Sequence, residues 1–470
     1  MVAASERLRP ADHPAYPLPA YALRVIEALE AHGYEAWAVG GWVRDALLGA
    51  PSHDVDVCTD ALWPQTRACC EAAGLTVHET GTHHGTVTVV SEGQPVEVTT
   101  YRVERGYSDH RHPDEVVFVR ELADDLGRRD FTVNAMAYHP ARGVCDPYGG
   151  REDLARGVIR AVGAPAERFA EDALRVLRAV RFAARLGFRV EDATARALEQ
   201  AAPGLADISN ERIGAELDGI LATGRMGWAL LEHPQVMCAA IPELVDARGF
   251  SQRSVYHAFD VYEHIARVCL ALEAYCGGYA RPALRWAALL HDVAKPHTLT
   301  VDDEGRGHFY GHDEQGARMA DAIMRRLSQP SEDVRAACAL IRMHDHVMEP
   351  TPRSVRRTLA RCEQAVPGDG ARLFFDLLQL RKADATAKQL RYAGFAVWLG
   401  QVERQLRAEL RAKPCFRVRD LAVGGNDLIQ SCGMEPGPQM GQTLSWLLDQ
   451  VMEGALPNER DALIAAVLAR

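Results

Sequence analysis

The chain has 470 residues, 47% hydrophobic and 25% charged, with a formal net charge of −11. That is an ordinary globular composition, sized for roughly two to four domains. No apolar run of about 18 residues occurs, and Met1 to Ala20 is polar and Pro-rich without a signal-peptide core; the expectation is a cytoplasmic protein with no membrane partner. The eleven cysteines include no repeated C-x-x-C, so reduced thiols are expected, Cys69-Cys70 being a buried pair, and metal ligands are sought among His and carboxylates.

In chain order, residues 21–33 read as a helix, with Ala22, Leu23, Ile26 and Leu29 near helical spacing and Gly33 as its stop. In Ala38-Val-Gly-Gly-Trp-Val-Arg-Asp45, Gly40 and Gly41 offer bare backbone. Arg44 follows near the start of a helix over Trp42–Leu48, where free N–H groups favour a phosphate. In Asp54-Val-Asp-Val-Cys-Thr-Asp60 the alternation places Asp54 and Asp56 on one strand face and Val55 and Val57 in the core. Two acids on one face suit a divalent metal.

Residues 61–73 look helical. Thr86–Val90 and Val96–Tyr101 alternate as strands joined by a turn over Ser91–Pro95, with Glu97, Thr99 and Tyr101 on one face. Glu97 is therefore a candidate third carboxylate. Residues 102–115, dense in mixed charge, are expected to form a mobile loop. Arg128, Arg129 and Asp130 precede an apolar run expected to be helical, and adjacent guanidiniums suit a triphosphate. Asp146-Pro-Tyr-Gly-Gly150 reads as a turn closing the first domain.

Residues 151–190 carry nine arginines and five acids, a local basic surface on an acidic chain. Glu167 to Arg185 reads as one long amphipathic helix, with Val176, Leu177, Val180 and Ala184 on one side and Arg175, Arg178, Arg181 and Arg185 on the other. Asp172 next to Arg175 is either an i, i+3 salt bridge or a carboxylate–guanidinium pair able to read a base edge.

From Tyr21 to about Val245 these motifs resemble, in order, the class II transfer-RNA nucleotidyltransferases, the CCA-adding enzymes of the polymerase-β-like superfamily. The resemblance implies an α+β fold, in which a small mixed-sheet nucleotidyltransferase head (residues 21–150) is followed by an all-α neck and body (151–246). It assigns phosphate binding to Gly40, Gly41 and Arg44, the metal pair to Asp54 and Asp56 with Mg2+, and the Arg-Arg-Asp motif to Arg128, Arg129 and Asp130. It gives nucleotide selection to Asp172 and Arg175, with Arg178 and Arg181 in the same motif. The implied partners are tRNA, CTP and ATP.

Histidines become frequent from about Phe250. Val255 to His264 is expected to begin a helix, Trp286 to Lys295 to form a second, and Leu380 to Asp384 to lie on another. This ordered set resembles the HD phosphohydrolase superfamily and implies His264, His291, Asp292 and Asp384 as ligands, with His312 and His344 serving a second metal. Imidazole and carboxylate suit Mn, Fe, Co, Ni or Zn. A carboxylate bridging two metals would activate water against a phosphoester, with Lys295 placed to meet the phosphate. His257, His297, His308 and His346 are read as packing or surface residues, although His346 competes with His344. The HD domain is placed at 250–400 and a helical tail, resembling that of the same family, at 401–470. Gly424-Gly425 is read there as a turn, before a helix over Thr443–Met452.

The function expected is template-independent addition of CCA to tRNA 3′ ends, with phosphoester hydrolysis at RNA 3′ ends by the HD domain, in a monomer or homodimer. The alternatives left open are a poly(A) polymerase, an enzyme adding only A or only CC, and an HD phosphohydrolase whose head merely binds RNA. The resemblance favours full addition on tRNA: in that family such a charged loop is associated with the switch to A addition, and the His84-Gly-Thr-Val-Thr-Val stretch stands where bacterial poly(A) polymerases are expected to have a Gly-Arg-Arg-Phe type of element.

Overall fold

The computed structural model describes residues 17–52, 54–105, 115–254, 258–388, 394–412 and 415–470. Two compact units emerge. One comprises the described residues up to Ile220 with His233–Ala240, the other Leu221–Glu232 with Ile241–Arg470. The fold is α+β, with a small mixed-sheet head.

In the first unit the strands are β1 (Ala36–Val39), β2 (Asp56–Thr59), β3 (Thr76–Gly81), β4 (Thr86–Ser91), β5 (Gln94–Thr100), β6 (Arg102–Arg105), β7 (Glu115–Phe118), β8 (Ala137–His139) and β9 (Gly143–Cys145), with a short parallel pair, Val158–Ile159 and Arg189–Val190, inside the neck and body expected to be all-α. Seven form one sheet in the order β3-β4-β5-β2-β1-β8-β9, in which only β2 and β5 run parallel. Helices Ala20–Glu30 and Trp63–Ala72 pack on this sheet and bury Val25, Ile26, Leu29, Cys69 and Cys70. Trp37, Val39 and Cys58 close a core with Tyr101, Leu122, Leu126 and Val162. The β4–β5 turn is tighter than composition suggests: Ser91 pairs with Gln94, and Glu92 and Gly93 both have positive φ (52° and 76°), as a two-residue hairpin requires.

Several expectations are corrected. The stretch read as a loop at 102–115 has strand flanks, β6 and β7 pairing as an antiparallel ribbon; its centre, residues 106–114, lies outside the described residues. The apolar run after Asp130 makes one 3-10 turn, Thr132–Asn134, before β8, because its residues feed a sheet strand rather than a helix face. Tyr101 does not share the Glu97 face; it lies past the end of β5 and is fully buried. The helix read over Glu167–Arg185 breaks at Asp172, which is extended (φ −142°, ψ 106°) between Pro165–Glu171 and Leu174–Leu186. Asp172 Oδ1 accepts the Leu174 N–H at 3.0 Å, a local bond that competes with helix continuation. The predicted faces survive the break, since Val176, Leu177, Val180 and Ala184 are all buried.

Among its described residues the second unit is helical apart from a small ribbon, Thr300–Val301 with Gly307–His308. Helix Val261–Cys276 packs on Pro282–Leu290 and Gly370–Ala387, and His312–Arg326 on Ser331–Met343; Trp286 is fully buried. The first helix begins at Val261, with Asp260 accepting the Glu263 N–H at 2.7 Å as its cap, and not at Val255; residues 255–257, including His257, lie outside the described residues. The second ends at Leu290, so His291 and Asp292 stand just beyond it. Towards the C-terminus, Gly425–Cys432, Pro438–Met452 and Arg460–Leu468 enclose a cluster around Leu428, Leu447 and Leu463. Gly425 opens a helix there. No helix among the described residues is long and apolar enough to cross a membrane.

Candidate active sites

The first site is a cavity of about 500 Å³ in the first unit, lined by eight arginines (44, 128, 129, 175, 178, 181, 185 and 212) and by Asp56, Asp130 and Asp172. Such a surplus of guanidinium suits a polyanion. Asp56 opens β2 opposite Val39. Asp54 precedes the strand instead of lying on it and is exposed, as is Glu97. The parallel register Val57↔Val98 sets Glu97 level with Asp56. Burial pushes the Asp56 carboxyl up to about 6; Arg129 pulls the other way, and Asp54 and Glu97 add to the rise. A half-buried acid whose pKa is raised by desolvation, with two further acids beside it, is the chemistry a divalent cation relieves, so the carboxylates fit a metal.

Gly40, at φ +74°, turns the chain so closely past this acid that an added Cβ would lie 3.0 Å from Arg129 Nη1 and 3.8 Å from Asp56 Oδ2. Gly41 starts a short helix, Gly41–Leu47, but Arg44 is not a free phosphate ligand at its N-terminus. It is 2% exposed, and donates from Nε to Asp45 Oδ1 (2.8 Å) and from Nη1 to Asn134 Oδ1 (2.6 Å). Arg128 Nε donates to Asp125 Oδ1 at 2.9 Å, whereas the buried Arg129 Nε has no hydrogen-bond partner.

The neck side chains pair differently from their sequence spacing. Asp172 Oδ2 accepts from Arg212 Nη2 at 2.9 Å, not from Arg175, which bonds Glu171 and the carbonyl of Arg168. The helix break explains the exchange, because it rotates Asp172 off the Arg175 face. Arg178 grips Asp130 Oδ2 through Nε and Nη2 (2.9 and 2.7 Å); burial raises the Asp130 pKa, but Arg178 together with the Asn134 amide and Arg175 brings it below its ordinary value. Arg181 Nε donates to Glu216 Oε2 at 2.5 Å. Arg44, Arg178 and Arg181 all lie over the Phe182 ring, 5.2, 5.5 and 4.7 Å from its centroid. Sequence reasoning missed Asn134, Phe182, Arg185 and Arg212 as lining residues. Arg185 was visible on the polar helix face; nothing local marks the others.

The second site lies wholly in the second unit. His264, His291 and Asp292 form one group whose ligand atoms lie within 4.8 Å of one another, and Asp292, His312 and His344 form another. Asp292 is common to both. Asp384 Oδ1 adjoins, 3.1 Å from His264 Nε2. Three imidazoles are oriented identically: His291, His312 and His344 each donate Nδ1–H to the carbonyl three residues upstream, Ala288 (3.0 Å), Phe309 (2.7 Å) and Ile341 (2.6 Å). The tautomer so set turns each Nε2 lone pair inward. His312 Nε2 and His344 Nε2 stand 3.3 Å apart, and the buried His291 Nε2 and Asp292 Oδ1 make no hydrogen bond. Burial lowers the pKa of His264 and of His312, which favours the neutral ligating form. These residues fit a metal pair sharing a carboxylate.

Lys295 is not free for a phosphate, since its Nζ donates to Gln252 Oε1 (2.9 Å) and pairs with Asp292 Oδ2 (2.7 Å). His346 is exposed and contacts Arg361, so His344 is the residue at the cluster. His297, near Asp246, and His308, bonded to Asp302, belong to neither ligand group.

Four family models match: the poly(A) polymerase head domain over residues 36–160, a probable RNA- and SrmB-binding site of polymerase A over 187–247, the HD domain over 256–386, and a putative tRNA nucleotidyltransferase domain 2 over 370–467. A CCA-adding enzyme of Lactiplantibacillus plantarum is 34% identical over 94% of this chain and 93% of its own. One of Geobacillus thermodenitrificans is 32% identical over 96% of both. The crystal structure of the Bacillus stearothermophilus CCA-adding enzyme in complex with CTP superposes with a TM-score of 0.69 at 31% identity, over 96% of each chain. With its head, neck and HD regions matched in order and its relatives covered nearly end to end, the chain belongs to the class II CCA-adding enzymes.

Proposed function

We propose that this chain adds CCA to the 3′ end of tRNA from CTP and ATP at the arginine-lined cavity, and hydrolyses phosphoesters at RNA 3′ ends at the histidine cluster. The observation carrying the first activity is a cavity with eight guanidiniums around a half-buried carboxylate, Asp56, whose pKa is held near 6. Mg2+ bound by Asp54 and Asp56, with Glu97 beside them, would supply polarisation of the RNA 3′-hydroxyl and of the triphosphate. The 3′-oxygen forms a bond to the α-phosphorus, the bond to the bridging oxygen breaks, pyrophosphate leaves and the hydroxyl proton passes to solvent. Arg129, with Arg128 behind it, neutralises charge on the phosphates.

Selection of C and A but not U or G follows from hydrogen-bond polarity. Cytosine and adenine each present an exocyclic amine beside an unprotonated ring nitrogen, matched by the acceptor Asp172 and the donor Arg175; uracil and guanine present a carbonyl beside an N–H and oppose both groups.

In the second site, Mn, Ni, Co, Fe or Zn held by His264, His291, Asp292 and Asp384, with His312 and His344, would supply Lewis-acid activation of water and phosphoryl oxygen. The chain's own contribution is orientation: three Nδ1–H bonds fix the rings, and Lys295 balances the Asp292 charge.

The test uses tRNA lacking CCA, Mg2+ and labelled CTP, ATP or both, followed by sequencing of the new ends. Full CCA is expected; a long A tail, or a stop after CC, would overturn the assignment. Asp54→Ala with Asp56→Ala should abolish incorporation and spare hydrolysis, and His291→Ala the reverse.

A further inference from the structure

The cavity at the histidine cluster, about 380 Å³, extends from Asp292, His312 and His344 to a rim formed by Arg306, His308 and Tyr310. Tyr310 is 76% exposed, unusual for a large aromatic side chain at the mouth of a polar cleft. Its ring lies parallel to that of His308, at 5° and 5.5 Å between centroids. That stack is anchored. His308 Nε2 bonds Asp302 Oδ2 at 2.9 Å, and Asp302 Oδ1 closes the hairpin turn by accepting the Glu304 and Arg306 N–H groups at 3.0 and 2.8 Å. Two residues beyond Tyr310, His312 is tied to the Phe309 carbonyl, so shelf and metal-ligand group share one short, hydrogen-bonded segment. The volume falls in the range that accommodates a small organic ligand, about 300–1,000 Å³, far more than a bare phosphoryl group needs.

We propose that Tyr310, backed by His308, is a stacking shelf for the base of the nucleotide whose phosphoester enters the histidine cluster, making this site selective for base-bearing phosphoesters. The proposal rests on the reading of the cluster as a phosphohydrolase site. An aromatic face stacks on any base, and the shelf offers no fixed hydrogen-bond code, so selectivity is for the presence of a base rather than for its identity.

The test uses the full chain with added Mn2+ or Ni2+ and two substrates, adenosine 2′,3′-cyclic phosphate and its base-free analogue methyl riboside 2,3-cyclic phosphate. Tyr310→Ala should raise KM for the adenosine compound roughly 5- to 100-fold, the scale of base–aromatic stacking. It should leave kcat and the base-free KM unchanged, and Tyr310→Phe should restore the wild-type values. Equal effects on both substrates, or none, would overturn the shelf. In parallel, 8-azidoadenosine 2′-phosphate should photolabel the peptide spanning residues 300–312 in wild type and not in Tyr310→Ala, whatever the hydrolytic rate. Labelling without hydrolysis would sink the phosphohydrolase reading and keep the shelf; hydrolysis without labelling there would sink the shelf and keep the reading.

Discussion

The contact between Asp172 and Arg212 makes a sharp prediction about nucleotide choice. Asp172 has two anchors, the Leu174 N–H on Oδ1 at 3.0 Å and Arg212 Nη2 on Oδ2 at 2.9 Å. The side chains are 16% and 27% exposed, so the ion pair is only partly screened, and a hydrogen bond to a charged group of this kind contributes about 1.5–3 kcal/mol. Replacing Arg212 by Met keeps its apolar stem and removes the donor. The helix start survives on the Leu174 bond, but the carboxylate is then free to turn about it and accept a mismatched edge through a shifted pose. If most of the lost energy appears as lost discrimination, at tenfold per 1.4 kcal/mol, the preference for CTP over UTP falls about 10- to 100-fold. Single-nucleotide incorporation onto tRNA lacking CCA, comparing kcat/KM for CTP and UTP, measures it, and Arg212→Lys should recover part of the loss. A uniform fall for both nucleotides with the ratio intact would refute positioning of Asp172 by Arg212.

Gly40→Ala should abolish incorporation while leaving circular dichroism and the hydrolytic activity unchanged, because the new Cβ meets positive φ and the Arg129 guanidinium at 3.0 Å; retention of more than about a tenth of the rate would count against the close approach. With Asp56 titrating at about 6, a metal must displace its proton below that pH. Incorporation at subsaturating Mg2+ should therefore fall as pH drops through 6 and recover at saturating Mg2+; a pH profile independent of Mg2+ would exclude this. Burial pushes His233 down to about 4 from 6.5. The unfolded chain then binds a proton that the folded chain refuses, so this contribution to stability is complete above about pH 6.5 and is lost as pH falls towards 4, by up to about 3 kcal/mol. The urea midpoint should drop from pH 7 to pH 5 in wild type and drop less in His233→Gln, an equal drop in both being the contrary result.

The sequence was most informative where chemistry and period coincide. Asp-x-Asp before an apolar strand was legible from alternation, and His264, His291-Asp292 and Asp384 through their resemblance to the HD superfamily, because each set needs several rare residue types in order. It misled where a local bond beats a continuing pattern. The 3.6-residue period runs unbroken from Glu167 to Arg185, yet Asp172 caps Leu174 and ends one helix before the next begins. Arg44 illustrates a second cause: the Gly-Gly turn suggested a phosphate ligand, but Asn134, ninety residues on, takes its Nη1. Arg212 and Phe182 were invisible for the same reason, since their partners are set by tertiary packing. The carbonyl bonds that orient three histidines are local, each to residue i−3, but they depend on helix ends that periodicity locates only loosely.

On the proposed reading of the arginine-lined cavity as the nucleotide site, its internal pairing also orders the events of binding. Arg44 is committed to Asp45 and Asn134, Arg178 to Asp130 and Arg181 to Glu216. These acids hold the guanidiniums in place before any nucleotide arrives, so little reorganisation remains to be made during transfer. Arg129 differs: its nearest acid, Asp125 Oδ2, is 3.6 Å from Nη2, and its Nε is buried without a hydrogen-bond partner. It is also the cation that most strongly opposes the raised pKa of Asp56. An incoming triphosphate would therefore gain most at Arg129, whose ion pair with Asp125 is long, and in binding there would draw positive charge away from Asp56. The carboxylate then depends on a cation to stay ionised, which couples occupancy of the phosphate site to occupancy of the metal site.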